Sequence, residues 1–462
     1  MENLNKKKFK SVLSEDNIRN RINKLAKAQN INKWDLGASS SNDVSAQVYK
    51  GEAKQLKASQ RSSITIRVWN KDNLIGITST SDLSDAGLNR ALESANEASK
   101  YANKEETPEF SSLSKSKVSE MNRPIKKLQG IKFLYTKLIQ AEKELLNKHA
   151  SIIDVPYNGF SEVEYERLYI NSEGAYRYLN NTHSSLYLYA KAQEINRKPR
   201  SSGSIKLAYG SSDIDIQSCI DEAAIKTTKH LDYQPIKTDK YLVCMMPEAF
   251  LDLIEAFSNI FNARSILDGV SLSNKDSIGN IISSPLLTIN DNGLHKSNIG
   301  AFAFDGEGTP TKDLCIIRDG ILESFLHSEA TARKFGVLPT GHAGLGAKGS
   351  VSPEWLVVKR SENSSSNYEH LNHKEYKGNY VLIESLNALH AGVKASQGSF
   401  SLPFDGWLVE NGELISIESA TVAGDIKDLL KNIINIEKEQ IITHSGISPY
   451  IWIESLSITG EE

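Results

Sequence analysis

The sequence predicts an α+β protein of two domains, and three observations carry that expectation. The 462-residue chain is long for one hydrophobic core and suits two units of about 200 residues each. Stretches of strand-like, period-two polarity and stretches of helical period come in blocks along the first half. The second half is mostly strand-like, with short turn dipeptides between apolar runs.

Taken in order, Ser45 to Tyr49, Ser63 to Trp69 and Ile75 to Ile77 alternate as half-buried strands, with a polar turn from Asn70 to Asn73. Ser81 to Ser84 supplies capping side chains, and Leu88, Leu92, Ala95 and Ala98 recur at helical spacing, so 85–102 reads as a helix. Lys104 to Gln129 is polar, contains Pro108 and Pro124, and reads as a connection. Leu134, Leu138, Ala141 and Leu145 place a second helix over 131–148. Period two returns between 152 and 208, with a turn at Asn171 to Gly174, while Arg197 to Gly203 reads as a loop. A helix over 215–230 closes the first domain (1–232), and Asp232 to Asp239 reads as a linker to the second (240–462). In the second domain Asp319-Gly320 and Asn411-Gly412 lie between apolar runs, and both dipeptides tolerate the positive φ of tight hairpins. Two helices are expected there: 247–267, with Pro247 in its first turn, and 425–436, striped by Ile426, Leu429, Leu430 and Ile433. Ser361 to Lys377 reads as polar and flexible.

Lys+Arg 54 against Asp+Glu 57 gives a net charge of -3, which argues against whole-molecule attraction to nucleic acid. The Lys6-Lys7-Lys8 run reads as a solvated tail. Three scattered cysteines, Cys219, Cys244 and Cys315, make neither a disulfide framework nor a cysteine zinc site. No apolar run reaches the 18 or so residues of a membrane span, and Met1 to Asp16 lacks the apolar segment of a secretory signal. A cytoplasmic location is expected.

Motifs for chemistry are sparse. No H-E-x-x-H occurs among the ten histidines, and no G-x-S-x-G or phosphate-binding glycine loop is present. His370 and His373 sit in the polar stretch, and His327 near Glu329 reads as structural. Gly341 to Gly349 reads as a glycine-rich connecting loop, or alternatively as a flexible loop lining a cleft. Asp305-Gly306-Glu307-Gly308 lacks the further oxygens of a calcium loop and reads as a turn.

Five stretches in fixed order nevertheless carry a resemblance: Thr78 to Ser84; Asn171 to Gly174; Ala303 to Thr311; Arg318 to Leu322 through Ala332 to Gly336 and Thr340 to Ala343; and Gly406 to Glu413 with Ala420 to Ile426. Spanning about residues 45–460, they resemble the TldD/PmbA family, and more closely its PmbA/TldE branch. The resemblance implies an N-terminal α/β domain with a mixed sheet and flanking helices, and a C-terminal domain of curved antiparallel sheets. It implies a cytosolic subunit of a heterodimeric zinc metallopeptidase that degrades or processes peptides and unfolded proteins in a closed cavity; older names call members modulators of DNA gyrase. In the TldD-type subunit the metal sits on a helix bearing H-E-x-x-x-H, with a cysteine further on. Here the corresponding stretch, Cys244 to Phe257, has no histidine but carries Glu248 and Asp252, and Thr443-His444-Ser445-Gly446 has no cysteine. The resemblance therefore implies no metal in this chain, zinc in a TldD-like partner, and no nucleic-acid or membrane partner. Substrate-facing residues are expected around Asp305, Glu307, Arg333 and His342. The competing expectations are a self-sufficient hydrolase with an unrecognised metal site using His327, His342 or His390, and a regulatory protein acting on a topoisomerase complex.

Overall fold

The computed structural model describes residues 13, 15–102, 109–345 and 350–460. The lysine run at 6–8, the start of the polar connection at 103–108 and the end of the glycine-rich loop at 346–349 lie outside them.

Six strands, β1 (Lys33–Tyr49), β2 (Glu52–Trp69), β3 (Ile75–Thr80), β4 (Ile152–Asn171), β5 (Tyr176–Ala192) and β6 (Arg200–Ala208), form one sheet in the order β3-β2-β1-β4-β5-β6. Every pairing in it is antiparallel, which corrects the expected mixed sheet. The reason lies in the connection from β3 to β4. One crossover helix would have returned the chain in parallel. Two helices with a strap between them bring it back to the end it left.

Strand alternation gives this sheet one apolar and one polar face. Leu36, Ala38, Ile64, Ile66, Leu168 and Ile170 pack under helices α1 (Glu15–Ala28) and α2 (Asp85–Ser99). Ala46, Val48, Phe160, Leu186 and Leu188 pack under α3 (Ile131–Leu146) and α4 (Ile216–Thr228). The neighbours on the other face, among them Asp35, Arg67, Arg167 and Tyr169, look toward the second domain. At the β1–β2 tip Lys50 and Gly51 have φ of 54° and 80°, as a tight hairpin requires. Glu142 of α3 fixes that tip by accepting from Lys50 N at 2.9 Å and Gly51 N at 2.7 Å.

Sequence periodicity missed the first part of β1 and of β2. Gly37 to Asn42 is small and polar, and Glu52 to Lys57 is exposed on both faces, so neither stretch alternates. The expected loop at Arg197 to Gly203 becomes β6 from Arg200 onward, where Gly203 lets the chain lie close against Leu188 and Tyr189 of β5. Residues 109–129 form the strap. Phe110 packs edge-on against Trp69 at 4.8 Å, and Ser111 and Ser112 bond Thr309 and Glu329 of the second domain.

The second domain holds two sheets. One runs Ile321–Leu322, Asp313–Arg318, Leu287–Asn292, Leu356–Arg360, Gly446–Ser448, Ile441–Ile442. The other contains Tyr380–Leu386, Asp239–Met245, Ile451–Gly460, Ala420–Asp425 and Ser399–Glu410, and the pairing of the first with the last closes it on itself. Between them lies the largest apolar cluster, including Phe250, Leu253, Phe257, Ile289, Val358 and Ile383. The expected curved antiparallel sheets are present, with parallel pairs at Leu356–Arg360 with Gly446–Ser448 and at Tyr380–Leu386 with Asp239–Met245. Both hairpins form as expected: Asp319 and Gly320 have φ of 48° and 82°, Asn411 and Gly412 53° and 83°.

Four expectations change. The helix over 247–267 is α5 (Pro247–Ala256), a 3-10 turn Ser258–Phe261 and a short helix Ala263–Leu267. Asn262 divides them by capping Arg264 N and Ser265 N. The helix over 425–436 ends at Lys431, and Ile433–Ile436 pairs as a strand with Ile451–Gly460, so its apolar stripe serves two elements. The linker carries a strand, Tyr233–Gln234, paired with Glu413–Ile417. The 361–377 stretch is also tied down: Glu437 accepts from His373 N at 2.8 Å and from Trp452 Nε1 at 3.0 Å.

Candidate functional site

The polar face of the six-stranded sheet is roofed by the second domain only in part, and the gap is a cavity of about 1450 Å³. Its floor is the alternate residues His183, Ser185, Tyr187 and Tyr189 of β5 together with the edge strand β6. Its walls are α5, the turn Thr443 to Ser445, the segment Pro353 to Leu356, and Glu384 beside His230. A second hollow of about 1000 Å³ lies over β1, β2 and β4 and is lined by Ser39, Ser41, Arg61, Arg167 and Phe302.

Helix α5 starts at Pro247, whose missing N–H costs nothing in a first turn, and buries Ala249, Phe250, Leu253 and Ile254. That burial turns Glu248, Asp252 and Glu255 outward. Glu248 Oε1 lies 3.3 Å from His444 Nδ1. Burial, with Glu248 adding, pushes the Asp252 carboxyl up to about 6, against a smaller pull from His444. The stretch of α5 thus offers carboxylates and no histidine, and the imidazole beside Glu248 is that of His444. These donors do not fit zinc, which takes imidazole and thiolate with at most a minority of carboxylates. Among the described residues no group of three His, Cys, Asp or Glu is placed to hold a metal ion.

Asp252 gives the first testable outcome. Its folded value lies above the ordinary 3.8, so its proton stabilises the fold at low pH and that contribution is lost as pH rises through about 6. Asp252→Asn should therefore melt a few degrees above the native protein at pH 7.5 and together with it near pH 4.5, as thermal scans would show.

Of the four residues expected to face substrate, three are buried, Glu307 alone among them bonding across to the first domain, and none lines the cavity. Asp305 Oδ1 accepts from Glu307 N at 2.8 Å and Thr309 N at 2.9 Å, and Oδ2 accepts from Ala343 N at 2.9 Å. Glu307 Oε1 accepts from Arg67 at 3.0 Å, and Oε2 from Glu329 N at 2.9 Å. Arg67, 0% exposed, also grips Asp35, to which the Tyr169 hydroxyl donates at 3.0 Å. Burial lowers the Arg67 pKa, but Asp35 and Glu307 more than offset this and hold it above its ordinary value. His342 Nδ1 meets the Thr340 hydroxyl at 2.8 Å, and its Nε2 lies 3.3 Å from Asp291 Oδ2, off-line for a hydrogen bond but within ion-pair range. Arg333 differs: it stands on the helix Glu329–Phe335 with its side chain half exposed, 3.9 Å from Glu109.

The other histidines are separated. His373 bonds Glu437 at 2.8 Å and stacks on Tyr450 at 3.6 Å. His370 neighbours Tyr368 and Tyr376, and His327 is buried beside Thr331 and Phe335. His390 borders a shallow hollow with Asp252. Sequence reasoning passed over the cavity wall itself: Glu354, Trp355, His230 and Glu384 belong to no local motif. His230 bridges Glu384 at 3.0 Å and Ser416 at 2.7 Å, a contact between segments more than 150 residues apart that no spacing announces.

The chain matches three domain families described as PmbA/TldA metallopeptidase domain 1, central domain and C-terminal domain, over residues 34–99, 127–231 and 238–460. Metalloprotease PmbA of Escherichia coli O157:H7 is 25% identical over 433 residues, 89% of each chain. The PmbA homologue of Haemophilus influenzae is 25% identical over 396 residues, 83% of each. Among solved structures, a Thermotoga maritima protein described as a candidate modulator of a DNA gyrase superposes with a TM-score of 0.84 at 25% identity, covering 96% of this chain and 100% of that one. TldE of Thermococcus kodakarensis superposes at 0.80 with 19% identity, covering 96% and 99%, a likeness of fold.

Proposed function

The chain belongs to the PmbA/TldA metallopeptidase family, and from that premise we propose that it is the subunit without metal in a heterodimeric zinc peptidase acting on peptides and unfolded proteins. The observation that carries the reading is that α5 presents Glu248 and Asp252 in place of histidines, Glu248 beside His444 on the cavity wall and Asp252 on the adjoining shallow hollow. The catalytic zinc then belongs to a TldD-like partner bearing H-E-x-x-x-H. What this chain supplies is a polar-floored hollow of about 1450 Å³ that excludes folded protein, and a sheet edge, β6, along which an extended peptide finds backbone partners. Arg333, the exposed member of the four expected residues, is where direct substrate contact is most readily tested.

Free Cys219, Cys244 and Cys315 accord with a reducing cytoplasm, and no helix among the described residues is long and apolar enough to cross a membrane. The near-neutral charge of -3 accords with a peptide rather than a nucleic-acid partner.

The test is reconstitution. The purified chain should carry no stoichiometric zinc and show no turnover of an unstructured peptide. Adding an H-E-x-x-x-H homologue from the same cells should produce turnover at least tenfold above that homologue alone. Zinc and activity in the isolated chain would favour the self-sufficient hydrolase; an inert mixture that co-purifies with a topoisomerase would favour the regulatory reading.

A further inference from the structure

Resting on the reading that the cavity receives peptide, we propose that Glu354 and Trp355 form a subsite for a peptide's N-terminal end, the ammonium on the Glu354 carboxylate and the first carbonyl on the Trp355 indole N–H.

Both residues line the cavity. Asp291, itself buried, fixes their backbone by accepting from Glu354 N at 2.8 Å and Trp355 N at 2.9 Å. The Glu354 stem is held from behind at Gly293, where a Cβ would come within 3.0 Å of the Glu354 Cβ and 2.8 Å of Thr311. Trp355 packs with Val357 and Ile447 and is 6% exposed, yet its Nε1 has no hydrogen-bond partner. A buried indole N–H without an acceptor is costly and marks a place for one. The Glu354 carboxylate likewise makes no hydrogen bond or ion pair with the described residues, whereas Glu222, Glu248 and Glu384 on the same cavity are each paired with a base and Glu255, also unpaired, is exposed to solvent. Burial and then Asp291 raise its pKa, against weaker opposition from His342 and Arg167. His342 is already matched to Asp291, and Arg167 lies over the Phe302 ring at 4.5 Å. A cation is what this carboxylate lacks, and a carbonyl is what its neighbour lacks. The two needs coincide in an unblocked peptide terminus, where the ammonium and the first carbonyl belong to one residue.

The experiment titrates the full chain calorimetrically with an alanine-rich hexapeptide amide and with its N-acetylated twin. The free amine should bind at least tenfold more tightly, as expected for a charge-assisted bond to a partly buried carboxylate. Glu354→Gln should bring the ratio close to one while leaving the acetylated peptide's affinity unchanged, and Trp355→Phe should weaken both peptides a few-fold. Equal binding of the twins to the native chain overturns the subsite and leaves the peptide cavity standing. Absence of binding by either twin at millimolar concentration overturns the cavity reading and the subsite with it. Should Glu354→Gln fail to fold, the ratio on the native chain still decides.

Discussion

Arg67→Met should destabilise the protein by about 3–5 kcal/mol, the usual cost of removing one partner from a buried ion pair. Arg67 sits on β2 of the first domain and bonds both Asp35 on β1 and Glu307 on the second domain's turn. Methionine fills much the same volume, so the loss is electrostatic. Two carboxylates, 0% and 1% exposed, would be left without their cation. Because Glu307 is the far end of a bond between domains, the variant should also lose cooperativity. A single urea transition in the native protein should separate into two, with the first shifted to lower denaturant. Arg67→Lys keeps the charge and loses the two-pronged grip on Asp35, so it should fall between. An unchanged transition in Arg67→Met would remove the latch from the account.

The second large effect is at Asp305. Its carboxylate holds three buried backbone N–H groups, those of Glu307, Thr309 and Ala343. Alanine would leave all three without an acceptor, at about 1–3 kcal/mol for each group left unsatisfied, with some relaxation. A total loss of about 3–5 kcal/mol is expected. Asn keeps the Oδ1 acceptor for Glu307 and Thr309 and loses only the bond to Ala343, so Asp305→Asn should recover more than half of the difference. Burial and then Glu307 push this carboxyl up to about 7, while the three N–H groups pull it back. With the folded value above the ordinary 3.8, its contribution to stability is full below about pH 4 and is lost as pH rises toward 7. Asp305→Asn should remove that slope. Arg333→Ala is the contrasting variant: half exposed and loosely paired with Glu109, it should keep its melting temperature, and a fall in peptide turnover by the reconstituted complex would mark it as a substrate contact. No change in turnover for either Arg333→Ala or a folded Asp305 variant would withdraw the substrate-facing role from both.

Legibility from the sequence followed local chemistry. The helices at Leu88 to Ala95 and Leu134 to Leu145, and the hairpins at Asp319-Gly320 and Asn411-Gly412, are written in periods and dipeptides that act within a few residues. The Asp305 to Thr311 turn was legible for the same reason: its side chain bonds amides two and four residues on. The Ile426 to Ile436 stripe was misread because one run of apolar residues serves a helix and then a strand, and only the pairing with Ile451–Gly460 separates them. Glu248, Asp252 and His444 stood out against the family pattern, but nothing local showed that a carboxylate on α5 reaches a histidine almost 200 residues later.

By itself, then, the sequence determined the α+β class, the two hairpins, the main amphipathic helices and the family. These rest on interactions between near neighbours or on the order of segments along the chain. The tertiary structure alone decided that the first sheet is antiparallel throughout, that Asp305, Glu307 and His342 are buried with Glu307 latched to Arg67 of the first domain, and that Glu354 and Trp355 face a cavity with unmet polar groups. Each of these depends on which residues from distant segments exclude water from one another. A side chain's burial, and with it the strength of its charge, is set by that packing and is not written in its immediate neighbours.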